Sequence, residues 1–186
     1  MDYSLQYLEQ CHKGTFSWLA NSPWTWLSSA ESLKKAADVL RNTLWSKEEK
    51  PHDTEAAVTD REMGPVYLML VAMAVESLIK GILIAKDHDR YVKKDCLSKE
   101  ICKNGHDLCK LYELTGKRKW AVEAWAPLLV KLSEFTINYG RYPVAKSREK
   151  MKGRVNAGYG ARSYFIQVDL LWKHLMKEMG KYSKRL

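Results

Sequence analysis

The sequence predicts an all-α fold, a single-domain bundle of about five main helices. Apolar residues recur at steps of three and four in one segment after another, which is the period of a helix with one buried face. One long run, roughly residues 65–86, is apolar on nearly every side, as a helix surrounded by other helices must be. No run alternates with the period of two that marks a strand. The chain has 186 residues, of which 46% are apolar and 28% charged, enough for one ordinary domain with a real core.

The elements follow in order. Residues 1–21 form an N-terminal extension, with an acid at position two and no apolar stretch of signal-peptide length, so nothing there directs export. Ser22-Pro23 places a capping residue before a proline at the first helical position. Trp26, Ala30, Leu33, Ala37, Leu40 and Leu44 then mark one helix face. A polar connector, SKEEKPHDTEAAVTDREMG, leads to the central helix, expected to begin near Pro65. A charged connector with room for a short helix follows. Asp107 is placed to cap DLCKLYELTG, with Leu108, Leu111 and Leu114 on one side and Gly116 as the stop. The next helix includes WAPLLVKLSEFTINYG, where Pro127 either begins the main body or kinks it. Residues 141–162 read as a basic, glycine-punctuated loop. The last helix spans about 161–180 on Phe165, Val168, Leu171, Trp172, Leu175 and Met179.

The central run poses a chemical question, because MLVAMAVESLIKGILIA holds Glu76 and Lys80 in its middle. Residues 66–85 are long enough to span a bilayer. Each charge at its centre would cost about 2.5–3.5 kcal/mol on insertion scales, so a buried helix and no membrane are expected. Glu leading Lys by four residues is the favoured order for a pair on one helix face. Buried charges persist when paired and hydrogen-bonded. His106 and Arg141, at the ends of neighbouring helices, are the available partners, which gives an internal polar cluster of Glu76, Lys80, His106 and Arg141. It reads either as a network fixing helix register or as an acid/base and anion site.

Other chemistry is thinly supported. Cys96, Cys102, His106 and Cys109 could supply four zinc ligands, but structural zinc favours two close pairs and only His106 with Cys109 approximates one. Four cysteines in a chain of this length suggest reduced thiols and a cytoplasmic setting. His-Asp dipeptides occur at 52–53, 88–89 and 106–107, as in metal-dependent phosphohydrolases, yet chance and helix capping explain them better. Nucleophile elbows, phosphate-binding glycine loops and dinucleotide fingerprints are absent, and no cofactor is expected.

Three motifs in order, AVESLIKGILIA, NGHDLCKL and INYGRYPV, preceded by WLSSAESLKKAADVL, resemble the HEPN superfamily of small helical-bundle proteins over about 120 residues. The likeness is closest to a branch with a Glu-x-x-x-Lys helix, a Gly-His-Asp-Leu turn and an Arg-Tyr-Pro turn. The resemblance implies an up-and-down bundle, often a homodimer, in toxin–antitoxin, antiphage or RNA-processing settings. Many members are metal-independent ribonucleases using an Arg with a His four to six residues further on. None of the five histidines here has an Arg at that distance upstream, so the usual ribonuclease motif is missing.

The net charge of +9 is unevenly placed. Residues 141–186 hold 12 of the 31 Lys and Arg and 3 of the 22 Asp and Glu, leaving 19 of each sign in the rest of the chain. Arg141, Lys146, Arg148, Lys150, Lys152, Arg154 and Arg162 are interleaved with Tyr142, Tyr159 and Tyr164. Basic side chains on phosphates with rings stacking on bases would make a sequence-tolerant single-strand site. The expected function is therefore contact with RNA or another polyanion by a non-catalytic or catalytically degenerate module. A protein–protein module using Trp-bearing faces, and a nuclease or phosphohydrolase centred on His106, Asp107 and Arg141, are the alternatives.

Overall fold

In the computed structural model, residues 22–45, 54–93, 96–136 and 161–182 are described. They form seven α-helices: α1 (Pro23–Trp45), α2 (Thr54–Lys86), α3 (His88–Tyr91), α4 (Lys99–Lys103), α5 (Leu108–Leu114), α6 (Lys119–Glu134) and α7 (Phe165–Gly180). A 3-10 turn, Ala161–Tyr164, leads into α7. Between α3 and α4, Val92–Lys93 pairs antiparallel with Cys96–Leu97. The fold is all-α, with this two-residue pairing as its sheet content among the described residues.

Helix α2 is the axis of the molecule. Leu68, Val71, Leu78, Ile79, Ile82 and Leu83 are fully buried, and each such side chain contributes about 1.5–3 kcal/mol by leaving water. The stretch Met63–Lys86 is long and apolar enough to cross a membrane, but 72% of an 18-residue window within it is buried against its neighbours. Helix α1 lies along it through Ala30 and Ala37, with Trp26 and Leu40 packed at the edge. From α7, Val168, Leu171, Leu175 and Met179 close the other side. Leu108 and Leu111 of α5 and Leu128, Leu129 and Leu132 of α6 complete the core.

Pro65 departs from expectation, and Pro127 from one of the two roles expected of it. Helix α2 begins eleven residues before Pro65, at Thr54, so half of the expected polar connector is helical. Glu55, Ala56, Ala57, Arg61, Glu62 and Met63 are good helix formers, and their preference outweighs the break that proline favours. Pro127 does not start a helix: α6 runs continuously from Lys119 through it, and the residue is exposed.

The helix ends match their local chemistry. Ser22 O accepts from Thr25 N at 3.1 Å as α1 begins at Pro23. Asp107 caps α5 by accepting from Lys110 N at 3.1 Å, which satisfies a donor that the first turn leaves open. Ser133 Oγ accepts from Leu108 N at 2.9 Å and donates to Leu129 O at 2.8 Å, fastening α5 to α6. Gly116 ends α5 with φ +74°, the left-handed turn that glycine adopts without penalty. Lys86 Nζ donates to Thr115 O at 2.8 Å, tying the end of α2 to the same turn.

Candidate functional site

Gly81 is the residue that brings α1 against the charged turn of α2. A Cβ there would lie 3.1 Å from Trp26 Cβ and 3.3 Å from Pro23 O. The close approach sets the Trp26 ring 5.6 Å from Lys80 Nζ, a cation–π contact. Lys80 Nζ donates to Glu76 Oε1 at 2.6 Å, and the other carboxylate oxygen meets His106 Nδ1 at 3.0 Å. The Glu76 and Lys80 side chains are each 11% exposed, whereas His106 is 40% exposed. A carboxylate paired with Lys80 can only accept, so His106 donates to it from Nδ1. The arrangement fixes the α4–α5 turn on α2 and presents an oriented imidazole at the surface. Three of the four expected cluster residues thus meet; Arg141 lies outside the described residues.

Asp107 does not join them. Its carboxylate caps α5 and also meets Lys110 Nζ at 3.2 Å. His106 and Asp107, adjacent in sequence, serve different partners, which takes the carboxylate away from any acid/base pair with the ring. The His88–Asp89 pair, 3.3 Å apart, is exposed on a four-residue helix, and His52 and Asp53 lie outside the described residues.

The zinc grouping does not form. Among the described residues, no three His, Cys, Asp or Glu side chains are placed to hold one metal ion. His106 is turned to Glu76, Cys96 Sγ donates to Lys93 O at 3.3 Å, and Cys102 Sγ to Leu97 O at 3.7 Å. Cys109 Sγ points to Ala126 O at 3.7 Å. Burial, with Asp107 and Glu113 nearby, pushes the Cys109 thiol up, away from the thiolate that zinc binds.

Two polar clusters were not anticipated. Between α1 and α7, Asp169 takes Arg41 at 2.9 Å and Lys34 at 3.3 Å, while Lys34 also holds Asp38 at 2.7 Å. Burial alone would raise the Asp169 carboxyl, but Arg41 and Lys34 together hold it below its ordinary range. Between α5, α6 and α7, Tyr112 Oη and His174 Nε2 are 2.9 Å apart, with the Trp125 ring 5.9 Å from the imidazole. Burial, reinforced by Lys117, lowers the His174 value, and burial pushes Tyr112 up to about 12. Glu178 is clamped by Lys117 at 2.5 Å and Lys181 at 2.6 Å, which outweigh its burial and hold it low. The sequence signal was faint: Tyr112 sits in an apolar stripe, and Lys34, Asp169 and Glu178 lie where helix periodicity alone cannot pair them.

A surface hollow of about 870 Å³ runs along α1, lined by Trp24, Thr25, Ser28, Ser29, Ser32 and Ala36 among others. Its described lining carries no charged group, so it offers no acid/base chemistry. Of the residues singled out from the sequence for polyanion contact, Arg141, Tyr142, Lys146, Arg148, Lys150, Lys152 and Arg154 lie outside the described residues. Arg162 belongs to the 3-10 turn that opens α7.

The geometry defines an all-helical bundle whose central helix carries a buried ion pair capped by a half-exposed histidine. Compared with protein-family models, curated proteins and solved structures, the chain matches none of them significantly.

Proposed function

We propose that the chain is a nucleic-acid-associated helical module of HEPN-like kind, cytoplasmic, which binds RNA or another polyanion through residues 141–162 and does no chemistry of its own. One observation carries this reading: the whole +9 excess falls in residues 141–186, while the remaining chain balances. Local charge of that size raises the concentration of phosphates at the surface and speeds their capture. Among the described residues, the acids of the same stretch support it further. Asp169 and Glu178 are each held by two cations, so neither is left as an unpaired negative charge.

A labelled single-stranded RNA titrated at low salt tests the reading by fluorescence anisotropy. The wild type is expected to bind, and the variant with Lys146, Arg148, Lys150 and Lys152 all changed to Ala to lose at least about tenfold in affinity. Absence of binding at low salt overturns the proposal. The bound RNA is expected to stay intact; cleavage abolished by His106→Ala with the fold retained would replace binding with catalysis.

A protein-interaction reading rests on a different observation. Helix α6 buries Leu128, Leu129 and Leu132 on one side and exposes Trp120 (68%) and Val130 (51%), with Ala124 and Pro127, on the other. Exposed apolar stripes of this kind mark contact surfaces. Homodimerisation through it would persist in high salt in sedimentation experiments and disappear in Trp120→Ser.

A further inference from the structure

The outer face of α7 has no role in the fold. Val168, Leu171, Leu175 and Met179 face the core, while Ile166 (75% exposed), Leu170 (53%), Lys173 and Lys177 line the opposite side. Lys173 and Lys177 enter no ion pair among the described residues, unlike Lys34, Lys117 and Lys181, which pair with Asp169 or Glu178. One turn separates the two free lysines, about 6 Å along the helix axis. No acid lies between them to compensate. The face is therefore a short cationic row with two aliphatic side chains at its N-terminal end, on a helix whose other side is fixed in the core.

We propose, resting on the polyanion reading above, that this face is a phosphate-binding row for single-stranded nucleic acid. Lys173 and Lys177 take phosphates, and Ile166 and Leu170 cover sugar and base surface beside them. The occupant follows from area and order. Two exposed aliphatics give far less than the roughly 1,000 Å² a stable protein interface needs. They also give too little apolar surface to hold a bilayer, where even one acyl chain binds marginally. Phosphate contacts need no such area, since counterion release drives them. The aliphatic and cationic residues also follow one another along the helix instead of forming an apolar stripe with flanking charge, which suits a strand running along the axis.

The test uses the full chain and a labelled oligouridine in about 0.1 M salt. The variant Lys173→Ala/Lys177→Ala is expected to bind roughly tenfold more weakly, and its logarithmic salt slope to shrink by about 1.4, two single-strand contacts at about 0.7 each. Lys173→Glu/Lys177→Glu should weaken binding further, while Lys99→Ala/Lys103→Ala, exposed on α4, should leave it unchanged. Thermal unfolding of the α7 variants should match the wild type, because both lysines are exposed. If the wild type binds, the quadruple change at 146, 148, 150 and 152 weakens it and the α7 pair does not, this inference fails and the polyanion reading stands. If the wild type does not bind, both fall. Binding to phosphatidylserine vesicles or to an acidic helical peptide more tightly than to oligouridine, lost in the same α7 variants, would overturn the assignment of the face.

Discussion

At the scale of single residues, Glu76 has the largest effect to test. It is the shared acceptor for Lys80 and His106 on the most apolar stretch of α2. Removing it strands the Lys80 charge in a site with 11% exposure, and stranded buried charges cost about 3–5 kcal/mol. Glu76→Ala is therefore expected to lose about 3 kcal/mol in urea unfolding. Glu76→Leu/Lys80→Met removes both charges together and should recover most of that loss. His106→Ala should cost about 1 kcal/mol, because its ring is partly solvated and contributes one hydrogen bond. An unchanged unfolding midpoint in Glu76→Ala would show that the pair carries no structural weight. The pairing of Glu76 with Lys80 was legible, since a four-residue step fixes it on one face. The Trp26 contact was not, because it depends on where Gly81 lets a second helix approach.

At the scale of elements, glycine and proline decide geometry in ways that periodicity does not register. Gly81→Val would drive a branched side chain into Trp26 Cβ and the Pro23 carbonyl, both held by the start of α1. Overpacking of this kind costs about 1–3 kcal/mol, and a loss of about 2 kcal/mol in chemical denaturation is expected. Gly116→Ala should cost about 1 kcal/mol, since φ +74° there is strained for any residue with a Cβ. The helices themselves, the Asp107 cap and the Gly116 stop were readable, because each follows from side chains acting within a few residues. The early start of α2 was not readable, nor was it readable that α6 would begin before Pro127 rather than at it. Both prolines sit among strong helix formers, and tertiary packing then overrides a local break signal. The two-residue pairing of Val92–Lys93 with Cys96–Leu97 lacks the length that alternation needs to be seen.

At the scale of the whole molecule, charge is sorted: the acids of the last helix are paired with cations, and Lys173 and Lys177 remain exposed and outside any ion pair among the described residues. That sorting sets the pH dependence of stability. Asp169 and Glu178 have depressed folded values, so their contribution is present above the ordinary carboxylate range and lost as pH falls through those values. His174, also depressed, contributes fully above about 6.5 and loses its share below it, as the unfolded ring binds a proton that the folded one resists. Tyr67 and Tyr112, raised by burial to about 12, hold their share below 10.0 and lose it towards about 12. Because the half-buried Cys109 thiol, also raised, loses its share above about 9.0, melting temperature should plateau between about pH 6.5 and 9 and fall on both sides; a maximum near pH 5 would contradict this. The excess of positive charge was legible as composition, whereas the pairing of Asp169 and Glu178 was not, because pairing across helices needs the packed fold. The most direct measurement of the central claim is the affinity of the wild-type chain for a labelled single-stranded RNA across a salt series. Engagement of four or more phosphates predicts a logarithmic slope of about −3 or steeper; a slope near zero, or no binding at the lowest salt, would contradict polyanion binding.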